Sequence, residues 1–176
     1  PPPVTPRRYH VGRFVVPEAI SPADTAKHLD EIAAAPAALR NAVKGFSDAR
    51  LDQPYRPGGW TIRQVVHHVP DSHLNAYIRM KLALTEDEPT ITPYMEDRWA
   101  ELPDSRLSVE TSLRLYESVQ ERWVAIMSSL TDAQWQRAYR HPEMGRYPRT
   151  RQAALYAWLG KHPMGHRERA PSRREP

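Results

Sequence analysis

Cysteine is absent from all 176 residues, which excludes disulfides, thiolate nucleophiles and cysteine-ligated zinc. A metal ion held by this chain must therefore use His, Asp or Glu. Long apolar runs are missing too. None reaches the roughly 18 residues that a membrane-crossing helix needs, and the first ten residues, PPPVTPRRYH, hold no signal-type apolar segment. A cytoplasmic protein without a membrane partner is the expectation. Glycine is scarce, at 7 residues, and no glycine-rich phosphate loop, Ser-His-Asp order or paired-carboxylate motif offers a competing chemistry.

Positive charge is not spread evenly. The net charge is +4, yet residues 161–176 hold five Lys or Arg against two Glu, a net +3, which leaves +1 for residues 1–160. The stretch RERAPSRREP, residues 167–176, reads as a disordered basic tail. The body shows no basic stripe interleaved with aromatics, so nucleic acid is not an expected partner. With 40% hydrophobic residues, residues 1–166 suit one domain with its own core, ordered over about residues 10–160.

Proline is abundant, at 18 residues, and mostly punctuates. Residues 1–20 read as extended, with Phe14, Val15 and Val16 packing down. Ser21-Pro22-Ala23-Asp24 is a helix start, and Leu29, Ile32, Pro36, Leu39 and Val43 recur at helical spacing behind it, with a kink expected at Pro36. Gly58-Gly59 ends a loop. Thr61 and Gln64 form a capping box for a second helix that runs to about Leu84. Residues 85–107 make a polar, proline-punctuated crossover. Ser108 caps a third helix lined by Leu113, Tyr116, Gln120, Trp123, Ile126 or Met127, and Leu130. Thr131 and Gln134 cap a short piece, residues 138–150 read as a hairpin turning at Glu143–Gly145, and Thr150 starts a last helix. The sum is an all-α four-helix bundle with a long crossover and a small β-hairpin before the last helix, a fold that builds metal sites on facing helices.

Three of the eight histidines fall within VVHHVPDSH, residues 65–73. On a helix, His68, Asp71, Ser72, Asn75 and Arg79 form one polar stripe, and His73 lies about 140° away among Val66, Val69, Tyr77 and Met80. Periodicity alone favours a solvent-facing stripe and a satisfied core or interface His73. His162 and His166 form H-x-x-x-H, whose i, i+4 spacing lets both imidazoles reach one ion at about 2.0–2.1 Å. A third histidine from a facing helix would complete a three-histidine site with an open position.

The run PYRPGGWTIRQVVHHVPDSHLNAYIRMKLALTE, the motif YRHPEMGRY and the end YAWLGKHPMGH resemble the YfiT subgroup of the DinB-like proteins, in consistent order over roughly residues 10–166. The resemblance implies a four-helix bundle, a metal-dependent hydrolase acting on a small-molecule substrate, and a homodimer. The dimer also draws on aromatics near helix surfaces, Trp99, Trp123 and Trp135. The implied metal site is His68 (directly before Val69), His162 and His166, binding zinc or nickel, with His67 and His73 as bystanders. Asp71 and Asn75, one and two turns beyond His68, are candidates for orienting the ligand ring or a water. Arg79 is a candidate for a substrate carboxylate or phosphate, or for a surface side chain.

Related bundles transfer thiols such as bacillithiol, so a thiol S-transferase is the alternative activity. A non-catalytic bundle with an impaired metal site is the third reading. It rests on Pro70 and on Trp158-Leu159-Gly160-Lys161-His162-Pro163, which stands where the subgroup has a pattern similar to W-H-x-H-H-H. A proline inside a helix costs roughly 3 kcal/mol, and Gly160 and Gly165 each weaken the helix by up to about 1 kcal/mol.

Overall fold

The computed structural model describes residues 14, 15 and 19–161. At the start of helix α1 (Pro22–Val43), the Ser21 hydroxyl accepts the Asp24 N–H and the Asp24 carboxylate accepts the Ser21 N–H, at 3.1 and 2.9 Å. Pro22 costs nothing there, because a first-turn N–H has no helical partner. The helix continues through Pro36, whose ring is buried with Ile32, Ala35, Leu39 and Val43. The one-turn helix α2 (Asp48–Leu51) is tied to the next long helix by Arg63, which pairs with Asp48 and Asp52 at 2.7 and 2.6 Å.

Thr61 and Gln64 form the second capping box, and helix α3 (Ile62–Thr85) runs through Pro70. It buries Val65, Val66, Val69, Ala76, Tyr77, Met80 and Ala83 together with three histidines, which makes it the central helix. The crossover behind it is anchored at both ends. Near its start the Ile91 N–H donates to the Arg140 carbonyl and the Arg140 N–H donates to the Pro89 carbonyl, at 3.0 and 2.9 Å. Past the one-turn helix α4 (Glu96–Trp99), Gln64 Nε2 donates to the Ala100 carbonyl at 3.0 Å. The 3-10 turn Pro103–Arg106 then packs back on α3.

Helix α5 (Val109–Ser128), capped by Ser108, buries Leu113, Tyr116, Val119, Gln120, Trp123 and Met127. The capping box of Thr131 and Gln134 opens α6 (Asp132–Trp135). Strands β1 (Ala138–His141) and β2 (Gly145–Pro148) pair antiparallel. Tyr139 and Tyr147 face each other with rings stacked at 5.6 Å. Helix α7 (Arg149–Gly160) follows at once. The four long helices, α1, α3, α5 and α7, form a four-helix bundle in which α1 packs on α5 and α7, and α3 on α5 and α7.

Polar contacts set the register of α7 on α3. Arg149 Nη1 donates to the Arg79 carbonyl, Gln152 Nε2 to that of Ala76 and the Tyr156 hydroxyl to that of Ser72, at 3.3, 2.9 and 3.2 Å. Each step along α7 is matched by an equal step back along α3, so the helices are antiparallel, and the same register carried one turn further would bring Gly160 level with His68. Gly160 also has a packing reason beyond its cost in helix propensity. A Cβ there would lie 2.8 Å from the Ala35 Cβ, so the missing side chain lets α7 close on α1.

Several expectations change. Phe14 does pack down, 6.0 Å from the Trp158 ring, whereas Val15 is 79% exposed and Val16 lies outside the described residues. Trp123 is wholly buried and offers nothing to a partner surface, while Trp99 stays exposed. The last helix starts at Arg149, ahead of Thr150, and the Arg149 side chain is buried. Among the described residues, no helix is long and apolar enough to cross a membrane. The basic tail at 167–176 lies outside the described residues.

Candidate functional site

The loop before α3 places an aromatic wall. The Tyr55 N–H donates to the Trp60 carbonyl at 2.8 Å and Pro54 bridges Thr61. Gly58 supplies the positive φ of +69° that the turn between them requires. Trp60 is thereby held edge-on to His68, with ring centroids 4.9 Å apart. The crossover brings Tyr94 to 6.5 Å from the same imidazole and Glu96 Oε2 to 3.5 Å from its Nε2. His68 is 4% exposed, so these groups and the bundle enclose it.

The polar stripe does not face solvent. His68 and Ser72 are buried, and Asp71, Asn75 and Arg79 are half-buried, because the crossover and α7 cover that side of α3. His67 and His73 sit elsewhere, and each has both ring nitrogens engaged. His67 Nε2 donates to the Leu107 carbonyl at 3.0 Å, which leaves Nδ1 to accept from the Ser112 hydroxyl at 2.6 Å. His73 Nδ1 donates to Gln120 Oε1 at 3.1 Å, and its Nε2 accepts from the Tyr116 hydroxyl at 3.3 Å. The Gln120 amide is oriented in turn by its bond to the Ile32 carbonyl at 3.0 Å. Burial lowers the pKa of His67 and pushes that of His73 down to about 3. Both imidazoles are therefore neutral at pH 7.

Asp71 stands one turn beyond His68. Burial, then the Asp104 carboxylate of the 3-10 turn, push its carboxyl up to about 6, within the range that suits proton exchange near neutral pH. Next to it the Ser72 hydroxyl contacts the Tyr156 hydroxyl at 3.3 Å. Burial, reinforced by Tyr156 and Glu96, raises the Tyr94 pKa, so its hydroxyl keeps its proton. Asn75 Nδ2 is committed to the Asp71 carbonyl at 2.9 Å, so it braces the helix. Arg79 donates to the Thr92 carbonyl at 3.3 Å. It lies about 16 Å along the axis from His68, at about 1.5 Å per residue, and could meet only the far end of a substrate.

His162 and His166 lie outside the described residues. Among the described residues, no group of three His, Cys, Asp or Glu stands close enough to hold a metal ion. The donors present on this side do suit a divalent ion: a buried imidazole nitrogen faces a carboxylate oxygen. Sequence reading did not reach Tyr94, Glu96 or Trp60. The usable signal was PYMEDRW, residues 93–99, where two aromatics in an otherwise polar crossover call for a surface to pack on. A separate groove is lined by Asp48, Asp52, Arg63, Gln64, Glu101 and Arg106 and contains none of the candidate residues.

Comparison with known proteins gives one consistent picture. Residues 31–170 match the DinB superfamily. A Bacillus mycoides protein named "Putative metal-dependent hydrolase" is 47% identical over 159 residues, covering 90% of this chain and 92% of the relative. A Bacillus anthracis protein of the same name is 46% identical over the same span. Among solved structures, YfiT from Bacillus subtilis is described as a probable metal-dependent hydrolase with an unusual four-helix bundle topology. It superposes with a TM-score of 0.84 at 42% identity, covering 89% of this chain and 90% of its own. A shared sequence over nine-tenths of both partners, on one bundle, makes this chain a member of the DinB superfamily with YfiT-like architecture.

Proposed function

We propose that the chain is a metal-dependent hydrolase whose divalent ion, zinc or nickel, is held by His68 with His162 and His166. The observation that carries this reading is the buried His68 facing the crossover carboxylate. The register of α7 supports it, since His162 follows Gly160 by two residues. When bound, such an ion supplies Lewis acidity and brings the pKa of a coordinated water toward about 7.

The chain's own residues would do the rest. Trp60 and Tyr94 exclude bulk water from the imidazole. Asp71, titrating near neutrality, takes up and returns a proton at its carboxylate. The Tyr94 hydroxyl, protonated throughout, donates to a polar group of the substrate. A carbonyl or phosphoryl centre is the substrate class that this combination suits.

The test is hydrolysis of ester, amide and phosphoester panels by chelator-stripped protein, with and without added zinc or nickel. Metal-dependent hydrolysis without thiol is the expected result. Metal-independent turnover would overturn the reading, and turnover that consumes a thiol would replace it with the S-transferase.

A further inference from the structure

Glu96, on the crossover, places a carboxylate beside His68. Its Oε2 stands 3.5 Å from His68 Nε2, and its side chain is 24% exposed. That separation is long for a charge-assisted hydrogen bond, which falls near 2.7–2.9 Å. It matches a different geometry. Two donor atoms each about 2.0–2.2 Å from one ion at the tetrahedral angle lie about 3.4 Å apart.

The carboxylate is also firmly placed. The Trp99 N–H donates to the Met95 carbonyl at 3.0 Å and the Ala100 N–H to the Glu96 carbonyl at 2.9 Å. The Tyr94 ring rests 4.6 Å from Trp99, and Ala100 is tied to α3 through Gln64. Glu96 thus reaches His68 from a turn that is anchored on both sides.

We infer that Glu96 is a protein ligand of the divalent ion that His68 binds, a role that rests on the reading of His68 given above. A carboxylate adds a negative charge that three neutral imidazoles lack. It shifts the site toward harder ions and ties the crossover to α3 whenever the ion is bound.

Full-length protein stripped by chelator and titrated with cobalt(II) tests this, using visible absorption as a direct report of coordination. Wild type, Glu96→Ala, Glu96→Gln and His68→Ala are compared after circular dichroism has verified the fold of each. Glu96→Ala is expected to bind cobalt about 100-fold or more weakly, since even an outer-shell partner is worth about 10–100-fold, and to shift the visible band. Glu96→Gln, which keeps the shape and an oxygen donor, should fall between Glu96→Ala and wild type. Unchanged affinity and spectrum in both Glu96 variants, with binding lost in His68→Ala, would overturn the Glu96 assignment and leave His68 standing. Binding by His68→Ala equal to wild type would overturn the His68 reading itself.

Discussion

Replacing His73 by glutamine isolates one buried imidazole as a source of pH-dependent stability. His73 is 0% exposed and is enclosed edge-on by Tyr116, Tyr156 and Trp123, at 4.7, 4.7 and 5.9 Å. At pH 8 the substitution removes those ring contacts and perturbs two hydrogen bonds, a loss of roughly 1–3 kcal/mol. The sign of the pH effect follows from the depressed pKa. Folded His73 titrates at about 3, whereas an unfolded histidine titrates near 6.5. The unfolded chain therefore takes the proton first. The stabilisation is complete above about pH 6.5 and is lost as pH falls toward 3, at about 1.4 kcal/mol per unit. Between pH 8 and pH 5 that amounts to about 2 kcal/mol. Asp71, with its raised pKa, works in the opposite direction, and the slope of wild type alone mixes the two. Subtracting the variant cancels Asp71. Urea unfolding followed by circular dichroism, with chelator present, should find a penalty for His73→Gln about 2 kcal/mol smaller at pH 5 than at pH 8. A penalty that does not change with pH would refute the reasoning.

Other substitutions probe other links. Gly160→Ala gains up to about 1 kcal/mol of helix propensity but must fit a Cβ 2.8 Å from that of Ala35, an overpacking cost of about 1–3 kcal/mol. Thermal unfolding should show net destabilisation, relieved by Ala35→Gly. His67→Ala removes the bonds to Ser112 and Leu107; it should cost about 1–3 kcal/mol of stability by urea titration and leave metal affinity unchanged. Asp71→Asn removes a carboxylate whose ionisation burial opposes. Discounted for its partial exposure, this should raise stability by about 1 kcal/mol at pH 8 and abolish hydrolysis. Sedimentation should find a homodimer with a Kd near ~1 μM, about −8 kcal/mol, and a monomer at every concentration up to about 50 μM would count against it.

What could be read from the sequence was what is decided locally. Ser21, Thr61, Ser108 and Thr131 cap their helices because a cap needs only the next three residues. The hairpin of residues 138–148 was legible for the same reason. The polar stripe was visible as a stripe, but periodicity cannot tell what covers it. Its burial depends on α7, more than 70 residues away, and on the crossover. Glu96 and Tyr94 were invisible as site residues because a proline-punctuated polar segment carries no period from which a facing direction follows. Gly160 looked like a weakness of the last helix, since its benefit lies in the approach to Ala35, a contact that no local pattern encodes. The choice of His68 over its neighbour His67 came from resemblance, and spacing alone leaves the two indistinguishable.

The central claim is that His68 binds the ion and His67 does not. Calorimetric zinc titration of wild type, His68→Ala and His67→Ala, each stripped by chelator, tests it most directly. One ion per chain for wild type and His67→Ala with none for His68→Ala is the expected result, with affinity falling as pH drops through about 6.5 because ligand imidazoles must be unprotonated. Equal binding by wild type and His68→Ala, or loss confined to His67→Ala, would contradict it.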